Sequence, residues 1–254
     1  MQGISLRLVF YVALWYGFTL LYNITNKRLL NSFPFPVFCA SLQLLCCIPF
    51  VLPAWLHTPP VVDKSSYRTI LLISFCHGLG SVVSVIGVAA GSVAFSQAIR
   101  GAEPIFCAIL SMYILRTQQS VATYTSLCII VLGICMVSLQ ELDFSWRSFL
   151  AALACGMLYQ LRSVLAKAQL AADKDKILLP SSLSGAQLFR IISIVSCIQM
   201  VPVAVFAELT SLISYFQMYS TSELYNILCH GLLSGSAFYI YNEVIHDIHE
   251  QRVT

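Results

Sequence analysis

Eight stretches of about 20 apolar residues recur along the 254-residue chain, at roughly 5–25, 35–55, 67–88, 92–115, 120–139, 146–168, 183–207 and 222–244. About 20 helical residues cross the ~30 Å hydrocarbon core of a bilayer. Only 10% of the residues are charged and 58% are hydrophobic. A soluble domain carries about 25% charge, so this chain has too little to coat a water-facing surface. The stretches are apolar all round and do not alternate as barrel strands would. The expected fold class is an all-α polytopic membrane protein with membrane lipid around it.

The breaks between stretches carry turn chemistry: Asn31-Ser32-Phe33-Pro34-Phe35-Pro36, His57-Thr58-Pro59-Pro60, Gln140-Glu141-Leu142-Asp143 and Ala172-Asp173-Lys174-Asp175-Lys176. Cations divide unevenly between alternate loops. Arg7, Lys64, Arg68, Arg116, Lys167, Lys174, Lys176 and Arg252 fall on one side; Lys27, Arg28 and Arg147 fall on the other. That places both termini on the cytosolic or stromal side, with Lys27 and Lys174 on opposite faces. The chain enters its first apolar stretch almost at once, so a cleavable leader is expected to have been lost, never encoded, or replaced by the first helix as an uncleaved signal anchor.

The stretch Ser96-Gln97-Ala98-Ile99-Arg100-Gly101-Ala102-Glu103-Pro104-Ile105-Phe106 puts two charges and a proline near the middle of an apolar run. An ionisable group at membrane depth costs roughly 2.5–3.5 kcal/mol on insertion scales and faces a cavity or a partner. Arg100 and Glu103 are three apart and share a helix face. Two readings stay open. The pair is an internal salt bridge that lets the segment insert, or Arg100 meets an anionic ligand while Glu103 orients it. Pro104 frees a carbonyl near Arg100, and broken helices at this depth line polar cavities. Arg162, on another stretch, either snorkels or joins Arg100 in gripping a phosphate. Arg190 is expected to snorkel, because no neighbour in sequence offers a partner.

Weaker signals have structural readings. Gly87-x-x-x-Gly91 and Gly231-x-x-x-Gly235 suit close helix packing. His77 and His230 have no metal-spaced partner and read as satisfied interior histidines. The ten cysteines include no C-x-x-C pair and read as buried thiols. Asn23-Ile24-Thr25 matches a glycosylation sequon but sits at a helix end. There is no metal cluster, cofactor motif or nucleophile–base set, and no basic cluster for nucleic acid.

Several blocks appear in order from about Tyr16 to Asn242. They are Asn23-Ile24-Thr25-Asn26-Lys27 with Phe33-Pro34-Phe35-Pro36; Cys76-His77-Gly78-Leu79-Gly80; Val93-Ala94-Phe95-Ser96-Gln97-Ala98-Ile99-Arg100-Gly101-Ala102-Glu103-Pro104; Glu141-Leu142-Asp143-Phe144-Ser145-Trp146; Tyr159-x-x-Arg162-Ser163 through Lys167; and Phe238-Tyr239-Ile240-Tyr241-Asn242-Glu243. Together they resemble the triose-phosphate/phosphate translocator family, the plastid phosphate translocators of the drug/metabolite transporter superfamily.

The resemblance implies a ten-helix fold of inverted five-helix repeats, about eight of whose helices lie here. Residues 1–254 would form a single transporter domain: a first repeat at about 5–139, an incomplete second at about 146–244 and a divergent tail at 245–254. It implies exchange of inorganic phosphate for a phosphorylated C3, C5 or C6 metabolite (triose phosphate, sugar phosphate or phosphoenolpyruvate) by alternating access in the plastid envelope. It implies a substrate site of Arg100, Ser81, Ser84, Tyr241 and Arg162, with Glu103, Pro104 and His77 as structural or gating groups. Arg100 stands where the family has lysine, and Ser81 where some subtypes have histidine or asparagine. The family's Lys-Arg pair and last two helices are not in the chain, which reads as an incomplete product or a degenerate member. Three functions follow for comparison: a phosphate-metabolite antiporter, a nucleotide-sugar or other organic-anion carrier of Golgi or ER membranes, and a truncated membrane protein that transports nothing. An enzyme is not expected.

Overall fold

The computed structural model describes residues 6–142, 144–174, 183–218 and 221–251. Asp143, Asp175, Lys176 and the last residues of the expected tail, Arg252 among them, lie outside that set. Among the described residues helices are the only regular secondary structure, and they follow the eight apolar stretches. They are α1 (Leu6–Ser32), α2 (Pro36–Leu45), α3 (Ile48–His57), α4 (Tyr67–Ala90), α5 (Val93–Arg100), α6 (Glu103–Ile114), α7 (Val121–Gln140), α8 (Trp146–Lys174), α9 (Gly185–Met218) and α10 (Thr221–Gln251). Pro36–His57, Lys64–Ala90, Val93–Ile114, Val121–Gln140, Trp146–Ala172 and Gly185–Tyr215 are long and apolar enough to cross a membrane. α1 and α10, of 27 and 31 residues, have the length as well.

Two of the eight rods are broken, and prolines explain both breaks. Pro49 opens α3, where it has no N–H to give to α2, so the chain turns at Cys46 and Cys47. Pro104 opens α6 in the same way. Between α5 and α6 the bonds tighten to i−3: Gly101 N–H to Ala98 at 3.0 Å, Ala102 to Ile99 at 3.0 Å and Ile105 to Ala102 at 2.9 Å. The expected interruption beside Arg100 is therefore present. The side chain of Ser92 caps α5 by accepting from Phe95 N–H at 3.1 Å. Ser92 also donates to Glu141 at 3.0 Å.

The helices fall into two compact units, residues 1–61 with 183–254, and residues 62–182. Each takes helices from both stretches expected as repeats.

In the first unit α10 packs along α1, and α2 packs against α9 and α10. Added β-carbons at Gly231 and Gly235 would stand 2.6 Å from Leu42 and 2.5 Å from Cys46, so this small-residue pair does bring α10 close to α2. A polar knot lies in the same core. Gln43 donates to Asn26 at 2.8 Å and to Ser234 at 3.2 Å, and all three are buried. Glu208 of α9 accepts the first N–H groups of α2, from Val37 at 3.2 Å and Phe38 at 2.7 Å, which sets a carboxylate on the positive end of that helix. Asn23 and Thr25 of the sequon are buried in α1, and Thr25 donates back to Leu21 at 2.6 Å.

In the second unit α8 is the central rod, packed along α4 and against α5 and α6. The close approach of α4 to α8 depends on Gly87, whose added β-carbon would meet Ala151 at 3.3 Å, and on Gly91, 2.6 Å from Ser148. Ser148 donates to the Gly87 carbonyl at 2.9 Å. α7 leans on α5 and buries none of its residues.

Candidate functional site

Two cations of the second unit, Arg100 and Arg162, converge on one aromatic ring. Tyr159 and Arg162 are on α8, three residues apart and so on one helix face. Arg100 ends α5. Its guanidinium carbon lies 5.3 Å from the Tyr159 ring centroid, and that of Arg162 lies 5.7 Å away. Both are within cation–π range. The Tyr159 hydroxyl is 3.2 Å from Ser81 on α4. Gly80 makes room for the ring: a β-carbon there would sit 2.9 Å from Tyr159 Cε1.

Each arginine also has a polar partner. Arg100 Nε and Nη2 both reach Glu103 Oε1, at 2.9 Å each, with side chains 20% and 25% exposed. The other carboxylate oxygen, Oε2, accepts from Gln160 at 3.1 Å. Glu103 fits against α8 because position 156 is glycine, where a β-carbon would come within 3.2 Å of its Cγ. Arg162 Nη1 lies 3.0 Å from His77 Nδ1. Arginine only donates, so this contact needs a lone pair at Nδ1 and puts the ring proton on Nε2. His77 is accordingly an interior histidine, neutral in this arrangement. Arg162 turns inward to it and does not snorkel.

His77, Ser81 and Ser84 lie on the buried face of α4. Ser81 donates to the His77 carbonyl at 2.9 Å. Ser84 lies close to Cys155, which in turn lies near Arg100 and Glu103. The second unit thus brings together Arg100, Glu103, Pro104, His77, Ser81, Ser84 and Arg162. Tyr241 lies in the first unit, where its ring packs 5.6 Å from both Tyr22 and Phe238.

Arg190 corrects the expectation from sequence. It does not snorkel: its guanidinium binds Glu243 at 2.7 Å, joining α9 to α10. The partner lies 53 residues away, beyond what local spacing reveals. His230 is half-buried and bonds its own helix, Nδ1 to the Asn226 carbonyl at 2.8 Å. Sequence reasoning also missed the roles of Tyr159, Gln160 and Glu208. The spacing of Cys155, Tyr159 and Arg162, i, i+4 and i+7, was the available signal for the first.

Rods long enough to span a bilayer, with polar and charged side chains paired between them, define a multi-pass helical membrane protein. The sequence model of the Triose-phosphate Transporter family matches residues 6–253, and the chain belongs to that family. It is similar to the chloroplastic triose phosphate/phosphate translocator of Solanum tuberosum, 32% identical over 202 residues, covering 78% of this chain and 46% of the relative. The chloroplastic translocator of the same description from Zea mays is 27% identical over 240 residues, covering 92% and 56%. The chloroplastic phosphoenolpyruvate/phosphate translocator 2 of Arabidopsis thaliana is 30% identical over 255 aligned positions, covering 98% and 64%. The chain therefore spans about half to two thirds of the length of these relatives.

Proposed function

We propose that this chain is an antiporter of the plastid envelope. It exchanges inorganic phosphate for a phosphorylated metabolite such as triose phosphate or phosphoenolpyruvate, and catalyses no chemical step. The names of its relatives support the substrate class and the membrane. The observation that carries the reading is the pair of arginines, from α5 and α8, resting on the one ring of Tyr159.

A phosphate leaving water needs compensating charge and directed donors. Two guanidinium forks supply both. Glu103 and His77 then act as stand-in acceptors that keep Arg100 and Arg162 in place when no anion is bound. Ser81 holds the Tyr159 hydroxyl and so fixes the ring. Ser84, one turn further along α4, is a hydroxyl on the same face. The break at Gly101–Pro104 lets Arg100 end its helix at this depth, and Tyr241 is assigned to substrate by resemblance.

The test is uptake of labelled phosphate into phosphate-loaded liposomes. Arg100→Ala is expected to abolish exchange, and Arg100→Lys to keep part of it. The double variant Arg100→Ala/Glu103→Gln separates ligand from scaffold. If the pair only neutralises itself, the double variant transports normally, and the assignment of Arg100 to phosphate fails.

A further inference from the structure

Arg190 and Glu243 repeat, in the first unit, the chemistry of Arg100 and Glu103 in the second. Arg190 Nε and Nη2 both donate to Glu243 Oε1, at 2.9 and 2.7 Å. The two side chains are 22% and 21% exposed, so the pair is not sealed in. One carboxylate oxygen takes both arms of the fork, although a guanidinium fork is matched to two oxygens side by side. Arg100 holds Glu103 in the same one-oxygen manner.

Tyr239 gives an independent sign of a ligand. It is 2% exposed. Its ring is stacked on Phe50 at 5.1 Å and on Phe189 at 5.8 Å, with interplanar angles of 15° and 28°. That packing fixes where the hydroxyl points. The hydroxyl lies near enough to Arg190 and Glu243 to interact with both. Yet it is buried without a hydrogen-bond partner among the described residues. Native proteins keep few such groups, and each calls for a reason.

We infer that Arg190 and Tyr239 form a second oxyanion site, which takes a phosphate group, free or carried on a metabolite, with Glu243 as the counter-ion that the phosphate displaces from the fork. A phosphate group offers two oxygens to the guanidinium and a third to the tyrosine hydroxyl. A carboxylate has only two and leaves one of these donors to share. The inference takes only the class of ligand from the function proposed above, and it uses different residues.

The experiment is equilibrium dialysis of the detergent-solubilised chain against labelled inorganic phosphate. Two phosphates per chain are expected. Arg190→Gln should remove one and leave the other, and Arg100→Gln should do the converse. Glu243→Gln should tighten the first-unit site several-fold, because a competitor for the fork has gone. A merely structural ion pair predicts no tightening. Tyr239→Phe keeps the ring stack and should weaken that site about tenfold, the loss of one hydrogen bond to a charged group. Where Arg190→Gln fails to fold, Tyr239→Phe and Glu243→Gln decide. Wild-type binding in those two variants overturns the second site. Phosphate binding lost in the Arg190 series but intact in Arg100→Gln would instead sink the second-unit reading and leave this one standing.

Discussion

Replacing Gly80 by alanine should damage phosphate binding more than it damages the fold. The new β-carbon would stand 2.9 Å from Tyr159 Cε1 and 3.0 Å from Cδ1. Carbon atoms settle at roughly 3.5–4.0 Å, so the ring edge has to retreat by about 0.6 Å or more. Its hydroxyl sits 3.2 Å from Ser81, and the shift strains that bond. Both guanidiniums rest on the ring, so both cations move with it. Overpacking costs about 1–3 kcal/mol. Alanine in place of a helical glycine returns about 0.5–1 kcal/mol. The net loss of stability is about 1 kcal/mol, a modest drop in melting temperature. Losing about 1.4 kcal/mol of binding raises KM tenfold, and two displaced cations should cost at least that. Thermal unfolding in detergent and phosphate exchange in liposomes measure the two effects separately. Gly133→Ala is the control, since no atom lies within 4 Å of a β-carbon there. An unchanged KM in Gly80→Ala would refute the idea that Tyr159 is the platform for both arginines.

Other perturbations have equally definite outcomes. Glu103→Gln should lower the melting temperature of the protein without ligand, because Arg100 loses its counter-ion. Added phosphate should then raise that temperature more than it does in the wild type; differential scanning fluorimetry measures both. Gly235→Ala forces a β-carbon to 2.5 Å from Cys46 Sγ and 3.1 Å from the Gln43 backbone, and should cost about 1–3 kcal/mol by overpacking. Cys46→Ala should rescue little of this in a thermal unfolding series, since Cys46 Cβ would still be 2.7 Å away. Gln43→Met keeps the side chain's size but removes the donor to Asn26 and Ser234, and unfolding should show a loss of about 1–3 kcal/mol.

What the sequence revealed and what it hid divide along the range of the interaction. The eight rods were legible because hydrophobicity and length are local. The break after Arg100 was legible because Pro104 cannot donate, and the Arg100–Glu103 pair because i,i+3 spacing brings side chains together on any helix. The glycine pairs declared close packing without naming the partner, and only the fold matches Gly87 with Ala151 and Gly235 with Cys46. The Arg190–Glu243 pair, the Glu208 cap on α2 and the meeting of Gln43 with Ser234 all join distant residues, with separations of 53, 170 and 191. No periodicity reports such contacts. Tyr159 stood in plain view beside Arg162, but its role as a shared platform depends on Arg100 arriving from another helix.

The interleaved order of the two units has a consequence for how the chain is made. Residues 62–182 form one unbroken segment, whereas the other unit waits for Leu183 onward to complete it. At about 5–20 residues per second, a ribosome needs about 6–24 s to cross that segment. Through that interval α2 has no Glu208 at its N-terminus, and Gln43 has Asn26 but not Ser234. The central segment can finish packing first, while α1, α2 and α3, made before it, are among the last to be satisfied. Those three helices are the part of this sequence with most to gain from an insertion chaperone.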